Sequence, residues 1–308
     1  MDTPVQNVPY PGIPAIMDGS EAIAHVETRI SEVACAYPIT PSTTMAAVFQ
    51  SAVAGGRTNL WGTPLGFIEP ESEHSSASAA EGVALAGGRV SNFTAGQGLI
   101  LMKEVLYVLS GKRLPVVFHV GARALTSQAL NIHAGHDDVM GVADTGWGIL
   151  FARNAQEAAD LTAIGRRVAE STHTPFFVVQ DGFLTTHTLE NVRLPEDELL
   201  RSFVGDPRET IESLFEPADA LMTGVVQNQD SYMKGRIGQR AYYALLAPAL
   251  ADAMAAWTEQ TGRTYASIDA YRCDDAQETS SPWGRWRTRR PPSWINFAAW
   301  ADRWAALR

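Results

Sequence analysis

Short, almost entirely apolar runs alternate with helix-like stretches along the first 180 residues of this 308-residue chain. Strands of a parallel sheet are buried on both faces, so they read as continuous apolar runs rather than as alternating ones. The sequence therefore predicts an α/β fold, with an open, mostly parallel sheet and helices on both faces. The predicted strands are VACAY (33–37), LGFIE (65–69), VSNFT (90–94), PVVFHV (115–120) and PFFVVQ (175–180). The predicted helices are 20–32, 42–54, 74–86, 97–110 and 154–171.

The pattern changes after Gly182, where a polar stretch with several prolines leads to a helical run at about 236–260 that ends at Gly262. We expect residues 1–262 to form one domain with a helical arm. Residues 263–278 include YASIDAY, which alternates as a strand does and is expected to begin a second, truncated domain.

Composition excludes several classes of protein. The formal charge of -10 gives no basic surface for nucleic acid or an anionic membrane, so we expect small-molecule ligands. The sequence lacks a run of about 20 apolar residues and a signal pattern, and a cytoplasmic location is the expectation. Cys35 and Cys273 are the only cysteines, too few for a four-thiolate zinc or iron–sulfur site.

Ligands of open parallel sheets bind where strands give way to helices. The segments YPITPS (37–42), EPESEH (69–74) and FTAGQG (93–98) are predicted to lie there. In the second of them three carboxylates cluster at a strand-to-helix turn, where partial burial would raise the pKa of a carboxyl group. The alternative is that acidic residues there only complement the dipole of the following helix. The three carboxylates are Glu69, Glu71 and Glu73.

Other polar residues near strand ends allow two interpretations each. Arg123 directly follows a predicted strand, where it would bind a carboxylate in bidentate fashion or make a structural pair. Gly96-Gln97-Gly98 is a weak signal for phosphate binding. A cluster of imidazoles and carboxylates matches no defined metal-ligand spacing, and polar contacts within a loop are the alternative. That cluster is His133, His136, Asp137 and Asp138.

Six motifs occur in the order and with roughly the spacing seen in one enzyme family. They are YPITPSTTM (37–45), ESE (71–73), FTAGQG (93–98), PVVFHVGARAL (115–125), VVQDGFLTTH (178–187) and QNQDSYMKGR (227–236). From about Met17 to Gln277 the chain resembles the N-terminal, thiamine diphosphate pyrimidine-binding domain of pyruvate:ferredoxin (flavodoxin) oxidoreductases, the 2-oxoacid:acceptor oxidoreductase alpha subunit. It departs from the family at HSSASAAEG (74–82), and at Gly96, where the FTASQG version has serine.

The resemblance implies oxidative decarboxylation of pyruvate, or of a related 2-oxoacid, to acyl-coenzyme A, with reduction of ferredoxin or flavodoxin. It implies that Glu73 meets N1′ of the aminopyrimidine, a role that a buried setting would suit. Arg123 would pair with the substrate carboxylate, Thr40 would donate a hydrogen bond to the substrate, and Pro38 would shape the backbone beside the pyrimidine. No metal ligand is expected in this chain. Mg²⁺, the diphosphate site and the iron–sulfur clusters would belong to other domains or subunits, and a dimer is expected.

Two further interpretations stay open. One is a truncated, catalytically inactive fragment of such an enzyme. Five of the eight tryptophans and six arginines fall within residues 279–308, so this tail is predicted to be an out-of-frame translation, with a tryptophan-rich C-terminal helix as the alternative. The other is a nucleotide-binding module without catalysis, which predicts a glycine fingerprint after the first strand; the sequence has none there.

Overall fold

The structure, a computed structural model, describes residues 8–213, 218, 222–268 and 284. Within these residues the chain forms eight strands and eleven helices. The strands are β1 (Ile13–Met17), β2 (Val33–Ala36), β3 (Gly66–Ile68), β4 (Val90–Thr94), β5 (Val117–Ala122), β6 (Gly148–Ala152), β7 (Phe176–Asp181) and β8 (Glu190–Leu194). The helices are α1 (Gly19–Ile30), α2 (Thr43–Ala54), α3 (Glu73–Leu85), α4 (Gly96–Leu101), α5 (Lys103–Gly111), α6 (Asp137–Gly141), α7 (Ala155–Thr172), α8 (Asp197–Val204), α9 (Pro207–Thr210), α10 (Tyr232–Gly238) and α11 (Arg240–Thr261).

Six of the strands in the described part of the chain form one sheet in the order β3-β2-β4-β5-β7-β6, and every neighbouring pair is parallel. β1 and β8 form a separate antiparallel pair. From β2 the chain moves outward to β3 and then returns to β4 on the other side of β2. The strand order therefore reverses between β2 and β4, and this topological switch point is where open α/β sheets bind ligands. The predicted fold class is confirmed.

Two hydrophobic cores cover the two faces of the sheet. Successive side chains of a strand point to opposite faces, so Val117 and Val178 pack into the core formed with α1, α2, α7, α8 and α11. Their neighbours Phe118 and Val179 pack into the core formed with α3, α4 and α5. Burying each such side chain stabilises the fold by about 1.5–3 kcal/mol. This two-sided burial explains why these strands are almost continuously apolar.

A buried ionic network ties α1 and α7 to the sheet. The carboxylate of Glu27 accepts hydrogen bonds from Ser91 Oγ at 2.6 Å and from Ser31 Oγ, and it contacts His119 Nε2 at 2.7 Å and an Arg166 nitrogen at 3.4 Å. Burial by itself raises the pKa of Glu27. The charge of Arg166 and the contacts with His119 and Ser31 outweigh that effect, so this pKa lies well below its usual range.

Several helix boundaries follow the sequence signals. Asn154 caps α7 by accepting a hydrogen bond from Glu157 N at 2.8 Å, and Gly262, with a φ of 71°, ends α11 in the left-handed conformation. The helix predicted over 97–110 is two helices instead, because the chain bends at Met102. The strands β1, β6 and β8 were not predicted.

The end of the arm packs on the domain. Trp257 of α11 is fully buried against the core around α7, and Asp160 of α7 accepts hydrogen bonds from Arg263 Nε and the Tyr265 hydroxyl, each at 2.6 Å. Of the predicted strand 265–271, the part at 265–268 is irregular, while 269–271 lie outside the described residues. The predicted out-of-frame tail lies outside them too, except Gly284, and the division into domains stays a prediction.

The described helices include none that is both long and apolar enough to cross a lipid bilayer.

Candidate functional site

The turns that follow β2, β4 and β5 meet at the topological switch point. Pro38 and Thr40 lie in the turn after β2, and Arg123 is the first residue after β5. Glu73 begins α3, which follows β3 at the same edge of the sheet. The carboxyl ends of parallel strands share one edge, so all four residues predicted for the site lie there.

Arg123 lies in the middle of this edge, with only 4% of its surface exposed. One terminal nitrogen of its guanidinium donates to Thr40 O at 2.5 Å, and the other donates to Gln97 Oε1. Nε is buried and has no hydrogen-bond partner among the described residues. Burial lowers the pKa of Arg123, and the negative charges of Asp138 and Glu73 oppose this shift. A buried guanidinium with a donor still unpaired is suited to bind one more acceptor.

Glu73 is half-buried and packs against Gly98 of α4. An ideal Cβ on Gly98 would lie 2.6 Å from Glu73 Cγ and 2.7 Å from Oε1, so only glycine leaves room for this carboxyl group. Glu69 and Glu71 are exposed, and Glu71 accepts a hydrogen bond from Ser75 Oγ. Of the three predicted carboxylates, the structure therefore places only Glu73 against the turn after β4.

The turn after β2 is held by Pro41. The Thr40–Pro41 peptide is cis, and Pro41 Cγ lies where side chains at Gly121 and Gly182 would be, at 3.0 and 2.8 Å from their ideal Cβ positions. These contacts fix the turn between the ends of β5 and β7. Thr40 is exposed, and its carbonyl rather than its hydroxyl contacts Arg123. We call Thr40, Glu73, Gln97 and Arg123 the switch-point cluster.

Asp138 and Gln97 are residues of this edge to which the sequence assigned no role at the site. Asp138 is fully buried, and its Oδ2 accepts from Gly96 N at 2.8 Å and from Arg123 N at 3.1 Å. Burial raises its pKa to about 6, although backbone hydrogen bonds oppose that shift. The FTAGQG motif pointed to the turn of Gln97, but sequence alone could not show that its amide meets Arg123.

The predicted histidine–aspartate cluster does not converge on one point. His136 Nε2 contacts Asp181 Oδ1 at 2.8 Å, Asp137 Oδ2 accepts from Leu125 N at 3.2 Å, and Asp138 points to the switch point. The His133 ring packs against Phe183 at a tilt of 44°, with ring centroids 4.8 Å apart. Within the described residues no three histidine, cysteine or acidic side chains are grouped to hold a metal ion. These residues make the polar contacts of a loop.

Cys35 lies in β2 beneath the site and is fully buried. Burial raises the pKa of its thiol to about 12, so at neutral pH it is not the thiolate that a nucleophile or metal ligand requires.

Comparisons with known proteins agree on one family. The family described as "Pyruvate flavodoxin/ferredoxin oxidoreductase, thiamine diP-bdg" matches residues 25–254. A pyruvate-flavodoxin oxidoreductase of Nostoc sp. is 36% identical over 266 residues, which are 85% of this chain and 65% of that protein. The pyruvate:ferredoxin oxidoreductase of Moorella thermoacetica is 36% identical over 263 residues, 85% of this chain and 22% of that protein.

Among solved structures, a 2-oxoglutarate:ferredoxin oxidoreductase from Magnetococcus marinus, with 2-oxoglutarate, coenzyme A and succinyl-CoA bound, has a TM-score of 0.59. It is 19% identical, and the match covers 76% of this chain and 46% of that one. At this identity the similarity shows the fold alone. The chain thus spans only part of the length of the proteins it matches.

Proposed function

The chain belongs to the thiamine diphosphate-binding family of pyruvate flavodoxin/ferredoxin oxidoreductases, and on that basis we propose that it supplies the pyrimidine half of a thiamine diphosphate site. The enzyme that contains it would oxidatively decarboxylate pyruvate or a related 2-oxoacid to acyl-coenzyme A in the cytoplasm, and would reduce ferredoxin or flavodoxin. One observation carries the proposal: Glu73 and the buried Arg123 lie at the same switch point, where the charge of Glu73 acts on Arg123.

The residues present fit an aminopyrimidine. Glu73 offers a half-buried carboxyl group, which packs against Gly98 because that residue has no side chain. The exposed surfaces of Pro38 and Tyr37 provide apolar contacts at the same edge. When bound, the cofactor supplies the carbanion that attacks the 2-oxo carbon and the electron sink for decarboxylation. The task of Glu73 is to hold or release a proton at the ring nitrogen that it meets.

Arg123 and Thr40 bind the 2-oxoacid in this proposal. The guanidinium is planar and presents its donors as a fork, so it suits a carboxylate better than the point charge of lysine does. One donor is the unpaired Nε–H of Arg123. A second is the terminal N–H that donates to Gln97 Oε1, because an incoming carboxylate can displace that amide oxygen. Thr40 is exposed and its carbonyl contacts Arg123, and in this proposal its hydroxyl donates to the substrate.

Other polypeptide segments must provide what this arrangement lacks. The described residues contain no cluster of carboxylates for Mg²⁺, and Cys35 is buried and protonated. We propose that the diphosphate, the Mg²⁺ ion and the iron–sulfur clusters are held by further domains or subunits, in an assembly that includes two copies of this chain.

The test is to isolate the tagged chain anaerobically from its native host and assay what co-purifies with it. The proposal predicts viologen reduction that requires pyruvate, or another 2-oxoacid, together with coenzyme A and thiamine diphosphate, and no turnover by the chain purified alone. Isolated chain that never carries such activity would identify it as an inactive fragment, and turnover by the chain alone would also contradict the proposal.

A further inference from the structure

Within the described part of the chain Asp138 makes three hydrogen bonds, and it is the acceptor in all of them. Oδ2 accepts from Gly96 N at 2.8 Å and from Arg123 N at 3.1 Å, while Oδ1 accepts from Val139 N at 2.8 Å. The side chain is fully buried. Burying a carboxylate without hydrogen-bond partners costs free energy. Three backbone N–H groups offset that cost here, and the carboxylate in turn holds those groups in position.

Two of these groups belong to the turns that build the switch-point cluster. Gly96 lies where the turn after β4 enters α4, has a φ of +52°, and precedes Gln97. Arg123 begins the loop after β5. One oxygen of Asp138 therefore bridges the backbones of two turns that are 27 positions apart in sequence and whose side chains, Gln97 and Arg123, contact each other.

The bridge determines where the guanidinium lies. The Arg123 side chain passes over Gly96, where its Nε lies 2.2 Å from the ideal Cβ position, and it reaches both Gln97 and Thr40. A shift of either backbone changes the direction of the fork. We propose that Asp138 is the positioning residue of the 2-oxoacid site: by bridging the Gly96 and Arg123 backbones, it sets the place where the guanidinium meets the substrate carboxylate. This inference rests on the function proposed above.

The bridge is strongest with an ionised carboxylate, because hydrogen bonds to a charged acceptor are roughly twice as strong as those to a neutral carboxyl or amide oxygen. The raised pKa of Asp138, about 6, therefore implies a bridge that weakens below neutral pH. The charged and titratable groups next to Asp138 are Arg123 after β5, and His136 and Asp137 on its own segment. Beyond them, Asp181 at the end of β7 contacts His136, and Lys103 of α5 donates to Gly141 O.

The test compares two buried aspartates in the isolated enzyme. Asp138→Asn keeps the shape and one oxygen for the bridge but loses the negative charge, so both backbone hydrogen bonds weaken. KM for the 2-oxoacid should then rise about 10-fold with kcat nearly unchanged, since a carboxylate contact made in both ground and transition states affects KM alone. The matched control is Asp160→Asn, a fully buried carboxylate whose partners Gln156, Arg263 and Tyr265 lie outside the cluster. It should lower the melting temperature without changing KM.

A KM for Asp138→Asn equal to that of wild type, or a loss of kcat at unchanged KM, would overturn the inference. Failure of the proposed function looks different, because wild-type enzyme would then show no 2-oxoacid-dependent reduction at all.

A second measurement needs neither a variant nor activity. The amide protons of Gly96 and Arg123 in the wild-type chain, followed by NMR, should titrate together between about pH 8 and about pH 5, as expected of two groups bonded to one carboxylate. The midpoint should lie close to 6. If either amide stayed constant, or if the two titrated apart, Asp138 would not bridge them.

Discussion

The guanidinium of Arg123 occupies the space that a side chain at position 96 would fill. An ideal Cβ on Gly96 would lie 2.2 Å from Arg123 Nε and 2.9 Å from Cζ. At this position the FTASQG version of the family motif has serine, whereas this chain has glycine, which leaves room for the guanidinium. Any side chain at position 96 must displace the guanidinium from its position between Gln97 and Thr40.

Gly96→Ala should therefore raise KM for the 2-oxoacid by about 10-fold or more, because displacing a bidentate donor weakens carboxylate binding. Gly56→Ala is the matched control, since Gly56 also has a positive φ, +68°, but nothing within 4 Å of its ideal Cβ. Both substitutions cost about 1–2 kcal/mol of backbone strain. If steady-state kinetics gave the same KM for both variants, the contact between Arg123 and Gly96 would not control substrate binding.

Arg123→Lys keeps the charge but removes the fork that reaches Gln97 and Thr40. We expect kcat/KM for the 2-oxoacid to fall about 10–100-fold, mainly through KM, as one or two charge-assisted hydrogen bonds are lost. Arg208→Lys serves as control. Arg208 is exposed, and in the described structure its side chain pairs only with neighbouring Asp206. Equal kcat/KM values for the two variants would remove Arg123 from the substrate site.

The Glu27 network makes a prediction about stability. Glu27→Gln leaves buried Arg166 without its counter-charge, and should lower the free energy of unfolding by about 3–5 kcal/mol in urea titrations. Glu81→Gln breaks a partly exposed pair with Lys112 and should cost about 1 kcal/mol or less. A cost for Glu27→Gln no larger than that for Glu81→Gln would show that the network contributes little.

The same network sets a pH dependence. The folded-state pKa of Glu27 is lower than the usual 4.5, so below that pH the unfolded chain binds a proton that the folded chain does not. The stability that Glu27 contributes is therefore complete above about pH 4.5 and is lost progressively as the pH falls further. Melting temperatures measured between about pH 3 and 7 should decline more steeply for wild type than for Glu27→Gln. Parallel curves for the two proteins would contradict this assignment.

The sequence predicted those parts of the molecule whose signals are local. β4 was placed at its observed bounds, Val90–Thr94, and all five of its residues are buried, although three of them are polar. β1 was missed because it exists only through pairing with β8, where Ile13 lies opposite Leu194. β6, with the sequence GILFA, was missed because it is short and starts at a glycine. It forms a strand through its pairing with β7.

The same distinction applies to the site. The strand and helix boundaries visible in the sequence made Glu73 and Arg123 candidates, and the resemblance to the family assigned their roles. The role of Asp138 could not be predicted, because its partners Gly96 and Arg123 come from turns that meet only once the sheet is assembled. Its place in a histidine–aspartate cluster indicated only polar contacts within a loop, because that cluster matches no defined metal-ligand spacing.

The most direct test of the central claim compares Glu73→Gln with Glu71→Gln in the enzyme isolated from its native host. Glu71 is exposed and only two residues from Glu73, so it controls for changing a carboxylate in this turn. Glutamine at position 73 cannot exchange a proton with the cofactor, and kcat should fall roughly 10²–10⁴-fold, the contribution of a positioned acid–base group. Glu71→Gln should retain near-normal kcat. Near-normal kcat in Glu73→Gln would contradict the assignment of this chain as the pyrimidine half of the site.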